Sequence, residues 1–147
     1  GTSINDEGLA NAVHLEVLDV FGCPGVTSVA PFAATLRSLI ARGSCGLGGL
    51  RCGINDSALV HATNLETLDV SWNQKITTLQ PFAHSLKELI AQYSCGLDSA
   101  AVAQTTKLVK LDVSHNGRIS FVPPTVVELA AQHCARLCTW MSVTTRM

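Results

Sequence analysis

Charge is scarce in this chain, and so are aromatic rings. Charged residues make up 14% of its 147 residues, aromatic residues 5%, and the formal net charge is −1. A surface basic enough for nonspecific binding to nucleic acid or anionic membrane is therefore excluded, and neither is expected as a partner. No apolar run approaches the roughly 20 residues that a membrane-spanning helix needs. The first residues also lack the basic-then-apolar pattern of a secretory signal. Six cysteines are present (Cys23, Cys45, Cys52, Cys95, Cys134 and Cys138), but none form a C-x-x-C pair. Their spacing points to neither zinc nor a disulfide framework. They read best as buried free thiols, which places the expected compartment inside the cell, in the cytoplasm. Gly46-Leu47-Gly48-Gly49 lacks the lysine of a phosphate loop, and no cofactor is expected. Apolar residues, at 47%, are plentiful enough to fill one core.

Repetition is what the chain does have. Leu15-Glu16-Val17-Leu18-Asp19-Val20 returns fifty positions later as Leu65-Glu66-Thr67-Leu68-Asp69-Val70. Ile4-Asn5-Asp6 returns as Ile54-Asn55-Asp56, Pro31-Phe32-Ala33 as Pro81-Phe82-Ala83, and Ser44-Cys45-Gly46-Leu47 as Ser94-Cys95-Gly96-Leu97. A period in the range of about 20–50 residues marks a solenoid or array. The chain begins in mid-repeat, so the expectation is a piece of a larger protein.

Each fifty-residue unit divides in two. Aligning leucine, x, x, leucine, x, small aliphatic, x, x, Asn/Cys/Ser yields six copies, with first residues at 15, 36, 65, 86, 108 and 126. The second leucine and the aliphatic residue stand two apart, so they share one face of a short strand. Stacked coils would then bury one continuous core. This pattern resembles the leucine-rich repeat family, with features of its cysteine-containing members, and it covers nearly the whole chain.

The resemblance implies one α/β domain over 1–147. It would be a leucine-rich-repeat solenoid, an arc with about six parallel β-strands on the concave face and short helices or irregular turns on the convex face. Residues 1–14 would form a partial first coil and 138–147 a tail or lid. The family's hydrogen-bonding ladder would fall to Cys23, Ser44, Asn73, Ser94, Asn116 and Cys134.

The return segments are of two kinds. Pro31-Phe32 and Pro81-Phe82 are too short and proline-broken for a helix, so the phenylalanines should plug the core. Asp6 to Val13, Asp56 to Thr63 and Asp98 to Thr105 pair an Asn or Asp cap with an alanine-rich stretch, predicting helices of about two turns. Against the Leu97 coil, the Leu47 coil carries seven extra residues, 48–54, read as a glycine-rich loop.

Three outward columns can be traced across the six strands. The first is Glu16, Arg37, Glu66, Lys87, Val109 and Val127, with alternating charges. The second is Asp19, Ile40, Asp69, Ile90, Asp112 and Ala130, an acidic stripe too widely spaced for a shared metal. The third is Gly22, Gly43, Trp72, Tyr93, His115 and His133, bare at one end and aromatic at the other. Aromatic residues in an exposed patch are typical interface anchors. The candidate partner-binding residues are therefore Phe21, Asp69, Trp72, Tyr93, Asp112, His115 and His133. Asp112, Ser114 and His115 do not amount to a hydrolase triad, because Asp69-Val70-Ser71-Trp72 repeats the aspartate and serine without the histidine. Two neighbouring histidines, His115 and His133, fall short of a metal site, and no catalytic residue is assigned.

These readings converge on a non-enzymatic module that binds a partner protein through the concave sheet. Two alternatives stand beside it. One is a scaffold that self-associates through uncapped solenoid ends, where Leu137, Trp140, Met141 and Val143 lie. The other is the substrate-recognition part of a ubiquitin-ligase adaptor.

Overall fold

The computed structural model describes residues 4–43, 52–134 and Leu137. Leucines two residues from a small aliphatic partner build six three-residue strands: β1 (Val17–Asp19), β2 (Ser38–Ile40), β3 (Thr67–Asp69), β4 (Glu88–Ile90), β5 (Lys110–Asp112) and β6 (Glu128–Ala130). They form one parallel sheet in chain order. The central residues Leu18, Leu39, Leu68, Leu89, Leu111 and Leu129 stand in register from strand to strand. They point into the core, and the residues on either side point out.

The core is a set of columns, one residue per coil. Val20, Ala41, Val70, Ala91 and Val113 are fully buried one step beyond the strand leucines. Leu36, Leu65, Leu86 and Leu108 close the column before the strands. Phe32 and Phe82 are also buried, each ending a one-turn 3-10 helix with proline in its first turn (Ala30–Phe32 and Gln80–Phe82). No single coil encloses these side chains, so burial comes from stacking.

Three helices occupy the other return segments: α1 (Asp6–Leu9), α2 (Asp56–Leu59) and α3 (Ser99–Ala103). Asn5, Asn55 and Asp98 cap them, their side chains accepting from the backbone N–H groups of Gly8, Ala58 and Ala101. The helices are shorter than the two turns expected. After α1 the chain tightens through Ala12 N–H to Leu9 C=O and Leu15 N–H to Ala12 C=O, and Ala62 and Leu65 do the same after α2. Those turns return the chain to the sheet before a second helical turn can form.

The fifty-residue echo survives in atomic detail. Asp6 accepts from Thr27 N–H at 2.8 Å and Thr27 Oγ1 at 2.6 Å, and Asp56 accepts from Thr77 at the same two distances. These carboxylates brace a helix N-terminus against the loop that follows the next strand.

One alignment requires correction. Ser44-Cys45-Gly46-Leu47 matches Ser94-Cys95-Gly96-Leu97 in sequence, but in space the place of Cys95-Gly96-Leu97 is taken by Cys52-Gly53-Ile54. Cys52 and Ile54 are buried as Cys95 and Leu97 are. A Cβ on Gly53 would lie 2.2 Å from Val26 O and 2.7 Å from Pro24 O. One on Gly96 would lie 2.4 Å from Ile76 O and 2.8 Å from Gln74 O, the same contacts fifty residues on. The extra residues therefore fall between Gly43 and Cys52, and 52–54 belong to the core. Ser44, Cys45, Leu47, the rest of the insertion (48–51), Cys138 and the tail 138–147 with Trp140 lie outside the described residues.

Candidate binding surface

The site is built where each strand leaves the sheet. In the third coil Asn73 N–H closes a turn on Val70 C=O at 2.9 Å, and in the fifth Asn116 N–H does so on Val113 C=O at 2.9 Å. The residue before each asparagine is left-handed: Trp72 at φ 63° and His115 at φ 61°. Tyr93 (φ 58°) and His133 (φ 56°) hold the same place in the fourth and sixth coils, and Gly22 (φ 73°) holds it in the first. Glycine adopts this backbone freely. For bulky side chains it is unfavourable, of order 1–3 kcal/mol per residue.

The rings on this strained backbone form one stack. Trp72 and Tyr93 have centroids 4.5 Å apart at 13°, Tyr93 and His115 4.9 Å at 6°, and His115 and His133 4.6 Å at 20°. The spacing matches the roughly 4.8 Å between strands, so the sheet sets the stack's period. Trp72 and Tyr93 are half-buried and His115 and His133 exposed. Phe21, on the first coil, is 52% exposed. His115 and His133 lie face to face and do not converge edge-on on a common point. Among the described residues no three His, Cys, Asp or Glu side chains gather as a metal-binding group.

The acidic stripe has a different role from the one expected. Asp19, Asp69 and Asp112 each accept from the backbone N–H two residues on, at 2.8, 3.0 and 2.9 Å, which shapes the exit from the strand. The second oxygen of Asp69 accepts from Arg42 Nε at 2.6 Å, and that of Asp112 from Gln92 Nε2 at 2.6 Å. Asp69 is only 2% exposed. It is thus part of the floor under the ring stack, and its expected place on the exposed face is corrected. Ser114 Oγ accepts from Gln132 N–H at 3.2 Å while His115 is held in the stack, so the two are not paired as nucleophile and base.

Beneath the rings runs the polar ladder. Asn73 Nδ2 donates to Ala41 O at 2.9 Å and Ile54 O at 3.3 Å, and Asn116 Nδ2 donates to Ala91 O at 2.8 Å. Cys134 Sγ donates to Val113 O at 2.7 Å. Cys23, in the first coil, is half-buried and makes only a long contact with its own Phe21 O. Ser94 is exposed. The buried place belongs to its neighbour Cys95, whose sulfur contacts Ala91 O and Asn116 Nδ2. Burial pushes the Cys95 and Cys52 thiols up, with nearby backbone hydrogen bonds opposing more weakly.

Glu66 accepts from Lys87 at 2.8 Å and Arg37 at 3.0 Å. The Lys87 hydrogen bond is the main reason its carboxyl lies below the usual range. The outward residues of the strands themselves start one place later than the column read from sequence. Val17, Ser38, Thr67, Glu88, Lys110 and Glu128 pair across the sheet. Counting back two residues from each member of the second column would have found them. Lys110 is bonded to Glu128 at 3.1 Å, which raises its pKa.

A sequence model of the family described as leucine-rich repeat matches residues 61–78, one coil centred on β3. No curated protein and no solved structure gives a match to the chain. No helix among the described residues is long and apolar enough to cross a membrane. The matched coil is one of six in a single parallel sheet, so the chain is built as a leucine-rich-repeat solenoid, a kind of domain that generally mediates protein–protein interaction.

Proposed function

We propose that the chain recognises a partner protein through the open face of its sheet, with Trp72, Tyr93, His115 and His133 as the contact ridge. Phe21 and Asp112 stand at its margin, and Asp69 supports it from below. One observation carries this reading: four bulky rings occupy consecutive left-handed positions that glycine would fill without strain. Strained residues of this kind collect at binding sites, where a bulky side chain is kept in spite of the backbone it must adopt. Aromatic side chains are also the usual energetic centres of interfaces.

The test is differential affinity capture with the full chain. Wild type, Trp72→Gly/Tyr93→Gly, and His84→Ala on a return segment serve as baits. Proteins held by wild type and by His84→Ala, but lost from the double variant, are the expected result. A capture profile unchanged by the double variant, with its fold intact by circular dichroism, would refute the reading.

A further inference from the structure

At one end of the aromatic stack no further ring follows Trp72 among the described residues. Tyr93 covers one face of Trp72. On the other side, the preceding coil places Gly43 at the same position, which carries no side chain to continue the column. Gly43 cannot readily be anything else, because a Cβ there would lie 2.2 Å from Trp72 O. A cavity of about 540 Å³ opens at this point, lined among others by Phe21, Arg42, Gly43, Trp72, Tyr93 and Asp112.

The charges around the cavity are one-sided. The strands and the residues flanking them on this side carry seven carboxylates (Glu16, Asp19, Glu66, the buried Asp69, Glu88, Asp112, Glu128) against four cations (Arg37, Arg42, Lys87, Lys110). All four cations are in ion pairs: Arg37 and Lys87 with Glu66, Arg42 with Asp69, and Lys110 with Glu128. Among the described residues Glu16, Asp19, Glu88 and Asp112 have no ion-pair partner. Among the described residues the charge left without an ion pair on this face is therefore negative.

We propose that the cavity is the anchor site for a lysine or arginine side chain of a basic protein segment. The Trp72 face turned away from Tyr93 attracts a cation through the ring's negative face. Asp112 supplies a carboxylate in the same cavity, and Asp19 and Glu88 stand on β1 and β4 of the same sheet, two residues before Phe21 and Ile90 of its lining. Arg42 does not oppose the guest, because its charge is spent on Asp69 at 2.6 Å. The negative face disfavours a nucleobase as occupant, since its phosphates would be repelled. This proposal rests on the sheet-face reading and specifies the chemistry of its partner.

Fluorescence anisotropy of labelled short peptides alternating glycine with arginine, aspartate or tyrosine tests it on the full chain. The arginine peptide is expected to bind and the other two are not. Trp72→Gly should weaken arginine-peptide binding about tenfold, the scale of a desolvated cation–π contact. Glu88→Gln, a change at a half-buried position outside the ring stack, should weaken it less and reduce its salt dependence. Arginine-peptide binding that Trp72→Gly leaves unchanged overturns the proposal, as does binding by none of the peptides. Trp72-dependent binding of the tyrosine peptide alone overturns the cationic anchor while the sheet-face reading stands. Indifference to Trp72 in both this assay and affinity capture removes both.

Discussion

Trp72 and Tyr93 lie face to face, ring centroids 4.5 Å apart and 13° from parallel, although both backbones are left-handed. The two facts are linked. The turn after each strand needs a left-handed residue before the ladder position, and in a parallel stack of coils that residue repeats at the strand spacing. Any ring placed there stacks on the ring of the next coil. The fold thus offers a column for side chains, at a backbone cost, and this sequence fills it in four consecutive coils.

The ladder should dominate stability among polar positions. Asn73→Ala would leave Ala41 O without its bond from Asn73, and Asn116→Ala would do so for Ala91 O. Each should cost about 1–3 kcal/mol. Ser94→Ala, at an exposed position, should stay within about 0.5 kcal/mol of wild type. Urea unfolding of the three variants measures the contrast, and equal effects would show that the ladder place in the fourth coil is misassigned.

Gly53 and Gly96 should resist substitution. An added Cβ would meet backbone carbonyl oxygens at 2.2 and 2.4 Å, which cannot swing away as a side chain can. Alanine at either should cost about 1–3 kcal/mol, the range for overpacking. Gly117→Ala, with nothing within 4 Å, should be nearly silent. Thermal melts of the three variants suffice to compare them.

Acid should loosen the first helix. Desolvation raises the Asp6 pKa, but the hydrogen bonds from Thr27 and Ser28 outweigh it, and the carboxyl lies below its ordinary value. A carboxylate with a depressed folded pKa contributes stability above its unfolded pKa of about 4 and loses it as pH falls through the folded value. Asp6→Asn should therefore lower stability at neutral pH and flatten the acid limb of the stability curve. An acid limb unchanged in the variant would contradict this.

The buried thiols should be inert until the chain opens. Burial raises the pKa of Cys52 and Cys95, so little reactive thiolate is present at neutral pH. Mass spectrometry after alkylation should show both modified only under denaturing conditions. Rapid native labelling of Cys95 would contradict its place beneath Asn116.

The sequence reveals the strands and the core because each is repeated six times. The alternation of Leu18 and Val20 with Asp19 is enough to orient a strand. The Pro-Phe returns are equally plain, since proline bars a helix and Phe32 and Phe82 have nowhere else to go. Identity of letters misleads where space is decided by stacking. Ser44-Cys45 copies Ser94-Cys95 in sequence, yet Cys52 takes the buried place because Gly53 must pass against Val26 O. Asp69 reads as an exposed carboxylate until Arg42, twenty-seven residues earlier, closes over it. The left-handed backbone under Trp72 leaves one trace in the sequence, Gly22 at the equivalent position of the first coil.

The central claim is that the four rings are held on backbone that favours glycine, so that they serve the surface and not the fold. Paired substitutions at Trp72, Tyr93, His115 and His133 test it most directly, comparing alanine with glycine at each position by equilibrium urea unfolding. Both remove the ring, but only glycine relieves the left-handed strain. The account predicts that every glycine variant is more stable than its alanine counterpart by about 1 kcal/mol. Alanine variants equal to or more stable than glycine, as at ordinary backbone positions, would contradict it.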